Sequence, residues 1–238
     1  MIKFEIEDIK LEEAEDGNLI IKLPDLTEKE KEIIDPIVAP TSGLRIQLYD
    51  ILEKDKYLLT YRKLFLFLRM FKAISQKFKE LKNNRNLKIL IATDNRPSRK
   101  LLLKYCSQIF AYDGFEIYYQ KDNPGESKLS SPYSAASVEL YKDINLIIAL
   151  TASHNDLSWN GIKLYIDFPI PLSGNLLEEI SSIALNIKEI CLKPNFKPLI
   201  IDAIQKNNDY VKKLLSNVLE IKSIKNKNII IWPYLGKA

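Results

Sequence analysis

Ile144-Asn145-Leu146-Ile147-Ile148-Ala149-Leu150 is a compact apolar run, and it delivers the chain into Thr151-Ala152-Ser153-His154-Asn155. An apolar run without alternation is the pattern of a strand buried on both faces, as in a parallel sheet. Residues 87–92 form a second such run. A polar turn over 93–98 follows it, and Pro97-Ser98 suits the start of a helix that reaches about Tyr112 and stops at Gly114. Residues 115–119 read as a further strand and Asn123-Pro124-Gly125 as a loop. Ser131 with Pro132 behind it opens a helix through Leu140. The order strand, helix, strand, helix, strand predicts an α/β fold whose mostly parallel sheet is covered by helices. Binding groups in such folds gather beyond the carboxyl ends of the strands. Here those are 93–98 and, above all, 151–160.

Upstream, Ile2, Phe4 and Ile6 alternate with Lys3, Glu5 and Glu7, and Leu19-Ile20-Ile21-Lys22-Leu23 follows Asp16-Gly17. This predicts a hairpin with a glycine-assisted turn. Residues 26–34 are charged and helical in pattern, and 36–43 are extended or looped, ending in Thr41-Ser42-Gly43. Leu64, Phe67, Leu68, Phe71, Ile74, Phe78 and Leu81 recur at helical spacing, with Lys72, Lys77, Lys79 and Lys82 on the other face. Downstream come a short strand over 161–165, a helix over 175–187 capped by Ser173 and a linker over 193–198. An amphipathic helix over 203–219 and a last strand over 229–232 complete the pattern.

Of the 238 residues, 46% are hydrophobic and 28% charged, which excludes a disordered or collagen-like chain. A net charge of +4, spread along the chain, gives no footprint for nucleic acid. No apolar run approaches the ~20 residues of a bilayer span. The first residues are too acidic and too alternating for a signal peptide, so a cytoplasmic, reducing setting is expected. Two cysteines and one histidine, His154, exclude a disulfide framework and a multi-histidine metal site.

Residues 151–163 are dense in hydroxyl, amide, imidazole and ammonium groups. A serine hydroxyl is a weak nucleophile until a base or a metal activates it. His154 adjoins Ser153, and Lys163 would neutralise a bound anion. A Ser-His pair in a loop is by itself most often solvated surface. No G-x-S-x-G elbow surrounds Ser153, and neither G-x-x-x-x-G-K-[ST] nor G-x-G-x-x-G occurs.

The whole string carries more. T-A-S-H-N at 151–155 followed by N-G-I-K at 160–163 resembles the phosphoserine signature of the α-D-phosphohexomutases, the phosphoglucomutase/phosphomannomutase family. Thr41-Ser42-Gly43-Leu44-Arg45 resembles that family's N-terminal segment, and Asp94-Asn95-Arg96-Pro97-Ser98 its D-x-R-x-S turn. Asp156 stands where the family usually has proline, Ile46 where it usually has a second glycine, and Ala92-Thr93 where it usually has Gly-Arg. The resemblance runs from about residue 40 onward. It implies a three-layer α/β/α domain I over 41–190, with an N-terminal extension over 1–40. Residues 191–238 would be a linker and the incomplete beginning of a similar second domain.

The resemblance also implies a reaction: intramolecular phosphoryl transfer on hexose phosphates through a phosphorylated Ser153. Arg45 and Lys163 would supply positive charge, and His154 would handle protons or hold the loop. Ser42, Asn155 and Asn160 would contact substrate, and Mg2+ would bind through the phosphorylated Ser153. The family's D-G-D-x-D-R metal loop has no counterpart in this sequence. The expectation is therefore the N-terminal portion of a truncated or split enzyme, inactive as a mutase without metal- and sugar-binding domains that lie elsewhere, a second chain being one candidate carrier of them. Its ligand would be a hexose phosphate or hexose bisphosphate, with neither nucleic acid nor membrane as partner. The alternative is a stand-alone, non-catalytic domain of that family that binds a sugar phosphate or a protein. A generic α/β binding module is the third reading.

Overall fold

The computed structural model describes residues 2–14, 16–35, 44–83, 86–122 and 125–218. The first half runs through β1 (Lys3–Ile6), β2 (Glu12–Glu13), β3 (Leu19–Lys22), α1 (Glu28–Ile34), β4 (Arg45–Gln47), β5 (Asp50–Glu53), β6 (Lys56–Leu59) and α2 (Tyr61–Leu81). The second half comprises β7 (Lys88–Thr93), α3 (Arg99–Tyr112), β8 (Glu116–Gln120), α4 (Ser131–Leu140), β9 (Leu146–Leu150) and β10 (Trp159–Tyr165). It ends with α5 (Asn175–Asn186), β11 (Glu189–Leu192), β12 (Leu199–Ile201) and α6 (Ala203–Val218).

Among the described residues, six strands form the central sheet in the order β12-β8-β7-β9-β10-β4. The first four are mutually parallel, β10 runs antiparallel to β9, and β4 at the edge runs antiparallel to β10. Successive side chains of a strand point to opposite faces. Ile89, Ile91, Leu146, Ile148 and Leu150 pack with the buried faces of α2 and α3. Leu90, Ala92, Ile147 and Ala149 pack with Val138 of α4 and Ala203 of α6. Both faces of β7 and β9 are thus covered, which is why neither strand alternates in sequence.

Helix α2 corrects one expectation. Lys72 and Lys77 do not face solvent. Lys72 reaches Asp113 at 2.7 Å, and Lys77 is buried between Glu80 at 3.0 Å and Glu179 at 2.8 Å. The reason is that α3 and α5 flank α2 on both sides. A helix enclosed in this way is buried over most of its surface, Phe65, Leu66, Met70 and Ala73 included, and the polar side chains caught there, such as Arg69 and Lys77, find partners. Leu81, at the far end, is exposed instead.

The hairpin expected between 2–6 and 19–23 does not form. Strand β1 pairs in parallel with β6, from Lys3 opposite Lys56 to Ile6 opposite Leu59. Strand β3 pairs antiparallel with β11 and with the short β2. The Asp16-Gly17 turn is real, but it joins β2 to β3, with Gly17 at φ 75° and the Asn18 N–H on Asp16 Oδ1. Strand β12 appears just after the linker, at residues to which the sequence reading gave no element, as an edge strand parallel to β8. The cap of α5 is Gly174 at φ 77°, not Ser173. The strand expected at 229–232 lies outside the described residues. Among the described residues, no helix is long and apolar enough to cross a membrane.

Candidate active site at the Ser153 loop

Strand β9 ends at Leu150 in the middle of the sheet, and the loop leaves it through buried Thr151 and Ala152. Ser153 is half-buried and sits in the left-handed region at φ 55°, where its N–H donates to Thr151 Oγ1 at 3.0 Å. A serine pays for that conformation, and such strain persists only where the surroundings enforce it. Its Oγ accepts from Arg45 Nη2 at 3.4 Å. Arg45 comes from the start of β4, where it pairs with Gly161 while the Ile162 N–H donates to Leu44 O at 2.9 Å.

Gly161 makes that approach possible. A Cβ there would lie 2.6 Å from Leu44 O, 2.8 Å from Thr151 O and 2.9 Å from Arg45 Cγ. Ile46, by contrast, is a buried strand residue paired with Asn160, a setting that suits a β-branched side chain. Asp156 caps a turn, accepting from the Ser158 N–H at 2.8 Å and the Ser158 hydroxyl at 2.5 Å.

Lys163 lies on β10 opposite Ala149 and is half-buried. Burial lowers its pKa, and the Arg45 charge lowers it further. An anion bound beside the two cations would oppose both effects by favouring the charged ammonium. His154 is exposed and hydrogen-bonds to no described residue. Asn155 stays in the loop, its N–H donating to Ala152 O at 3.2 Å. Asn160 is buried, with Nδ2 on Ser98 Oγ at 2.7 Å and Oδ1 accepting from the Gly161 N–H at 2.7 Å. The fold therefore brings Arg45 onto Ser153, puts Lys163 within electrostatic reach of Arg45 and keeps His154 and Asn155 in the same loop as the serine. Asn160 is turned inward, and Ser42 lies outside the described residues.

The sequence reading did not place Arg96 in the site. It is wholly buried beneath the loop and donates to the carbonyl oxygens of Ser153, Asn155, Asp156 and Trp159. The spacing of Asp94, Arg96 and Ser98 was the signal available for it. Further along the same sheet edge, Glu126 meets Arg99 at 2.5 Å, Lys100 at 2.9 Å and Lys128 at 3.0 Å. Hydrogen bonds from Arg99 and Lys100 hold its carboxyl down to about 2.

Residues 63–190 match the family model described as phosphoglucomutase/phosphomannomutase, alpha/beta/alpha domain I. The chain belongs to the phosphoglucomutase/phosphomannomutase family. It is 26% identical over 183 residues to the phosphoglucosamine mutase of Dictyoglomus thermophilum, covering 74% of this chain and 35% of that relative. Two solved structures share the fold. One is the Paramecium exocytosis-sensitive phosphoprotein parafusin, a phosphoglucomutase in its open form, with TM-score 0.59 and 15% identity over 85% of this chain and 37% of that one. The other is a Thermus thermophilus protein named as a phosphomannomutase, with TM-score 0.55 and 18% identity over 79% of this chain and 37% of that one. The chain thus spans about a third of the length of its curated phosphohexomutase relative.

The family implies magnesium, and the donors at the loop do not by themselves fit it. Among the described residues there is no group of three His, Cys, Asp or Glu side chains suited to a metal ion. Both oxygens of Asp94 are taken up by Arg96, and Asp156 Oδ1 is held by Ser158. Magnesium asks for near-octahedral oxygen coordination, which one fully engaged carboxylate and one half-engaged one do not offer by themselves.

Proposed function

We propose that the chain supplies the phosphoserine part of a phosphohexomutase site, with Ser153 as the phosphoryl carrier. In the forward half, the Oγ–P bond of phosphorylated Ser153 breaks and a new P–O bond forms to a free hydroxyl of a hexose phosphate. The proton lost by that hydroxyl passes, by way of His154, to the departing Ser153 Oγ, leaving the free serine hydroxyl and the bisphosphate. In the return half, the other phosphate passes to Ser153 Oγ. The transition state is loose, with charge spread over three equatorial oxygens, so catalysis is chiefly positioning and charge neutralisation. Arg45 and Lys163 supply that charge. His154, with no bond inside the loop, is the group assigned to proton transfer. Ser42 and Asn155 are assigned to substrate hydroxyls, and Asn160, already engaged with Ser98, acts at one remove. The carboxylates for magnesium and the groups that dock the second phosphate belong, on this reading, to further domains.

One observation carries the reading: the Arg45 guanidinium on the Ser153 hydroxyl at the carboxyl end of the central strand. The test is incubation of the chain with glucose 1,6-bisphosphate, followed by intact-mass measurement and site mapping. Phosphate is expected on Ser153, and Ser153→Ala abolishes it. Phosphate on another serine, or none on the wild type, overturns the reading.

A further inference from the structure

All five N–H donors of the Arg96 guanidinium have acceptors. Nε meets Asp94 Oδ2 at 3.0 Å. Nη1 serves the carbonyl oxygens of Asp156 and of Trp159, the latter at 2.9 Å. Nη2 serves those of Ser153 at 3.1 Å and Asn155 at 2.7 Å. Asp94 closes the arrangement by accepting the Arg96 N–H through Oδ1 at 3.0 Å.

We propose that Arg96 is the positioning residue of the serine loop. One buried cation gathers four carbonyls and sets the conformation that offers Ser153 Oγ to Arg45, while itself touching neither the hydroxyl nor a phosphate on it. The proposal rests on the reading of Ser153 as phosphoryl carrier. Its donors are used up, so phosphate contact falls to Arg45 and Lys163. A lysine could not replace it, because an ammonium has three donors and no planar fork.

The clamp has a second consequence. In a trans peptide, C=O and N–H point in opposite directions. Carbonyls of Ser153, Asn155 and Asp156 aimed at Arg96 therefore turn the N–H groups of His154, Asp156 and Leu157 away from it. None of those three N–H groups has an acceptor among the described residues. His154 and Asp156 are exposed, so this is the open side of the loop. Successive outward N–H groups are the means by which loops hold anions. The same arginine that fixes the serine thus readies the backbone for a phosphoryl group.

The test compares the full chain with Arg96→Lys and Asp94→Asn by amide hydrogen exchange. The amides of Ser153, Asn155, Ser158 and Trp159, all bonded within the loop, should exchange at least tenfold faster in R96K and by a smaller factor in D94N. Those of β7 and β9 should keep their rates. Phosphate uptake at Ser153 should fall at least tenfold at saturating glucose 1,6-bisphosphate, with the half-saturating concentration unchanged within twofold. Unchanged loop exchange in both variants overturns the proposal, as does acceleration spread equally over β7 and β9. A rise in half-saturation alone overturns it too, by making Arg96 a ligand. Should R96K not fold, D94N decides, since it leaves the arginine in place. Should the wild type take up no phosphate, the phosphoserine reading fails, and the exchange comparison still decides the clamp.

Discussion

Gly161 concentrates the packing problem of the site in one atom. Its missing Cβ is the space through which β4 comes close enough for Arg45 to reach Ser153. Two of the three contacts are backbone carbonyls, which cannot swing aside as a side-chain tip can. Overpacking at a well-filled position costs about 1–3 kcal/mol, and fixed backbone on two sides places Gly161→Ala toward the upper part of that range. Urea unfolding is expected to show the loss, and phosphate uptake at Ser153 should fall with it as Arg45 is displaced. An unchanged denaturation midpoint would mean that β4 moves freely, contrary to its pairing with β10. The glycine itself was legible as part of N-G-I-K, but the reason for it was not. Spacing along a chain does not show which strand will press against a residue from elsewhere.

Among the elements, the loop after β8 and the start of α3 are joined through Glu126, Arg99, Lys100 and Lys128. A carboxyl whose folded pKa is about 2, against an ordinary 4.5, favours the folded state above pH 4.5. That contribution is lost as the pH falls toward about 2. Glu30 behaves alike, held to about 2 first by hydrogen bonding to Arg62. Melting temperature is therefore expected to drop between about pH 4.5 and 2. Glu126→Gln should lower it at neutral pH and make the acid drop shallower. An acid drop of the same depth in the variant would count against the pairing. Elements such as β7 and β9 were readable because burial on both faces leaves an unbroken apolar run. β12 was not, because its three residues include the exposed Leu199 and Ile200 and give no pattern. The early hairpin misread its partners: β3 and β1 close on β11 and β6, which no local alternation encodes.

At the scale of the whole molecule, the first 35 residues are tied into the same core as the serine loop's strands. Ile21, Leu23 and Ile34 are buried in the cluster that contains Ile89 and Leu146. Arg69 of α2, itself buried, donates to the carbonyls of Pro24 and Ile187, and Arg62 binds Glu30 at 2.6 Å and Asp25 O at 3.0 Å. The family-model match spans residues 63–190, so this segment lies outside the matched residues. A fully buried aliphatic side chain contributes about 1.5–3 kcal/mol, so three of them account for about 5–9 kcal/mol. The net stability of a typical domain is about 5–15 kcal/mol. Removing residues 1–35 also takes β1 from one side of β6 and β3 from β11, leaving unpaired edges open to aggregation. The shortened chain is expected to lose cooperative unfolding in calorimetry or to precipitate on expression. With its scaffold loosened, Ser153 should lose its phosphate uptake as well. A soluble chain of residues 36–238 that melts in one transition and labels at the wild-type rate would show that the segment is an appendage, and that the sheet holds the serine loop without it.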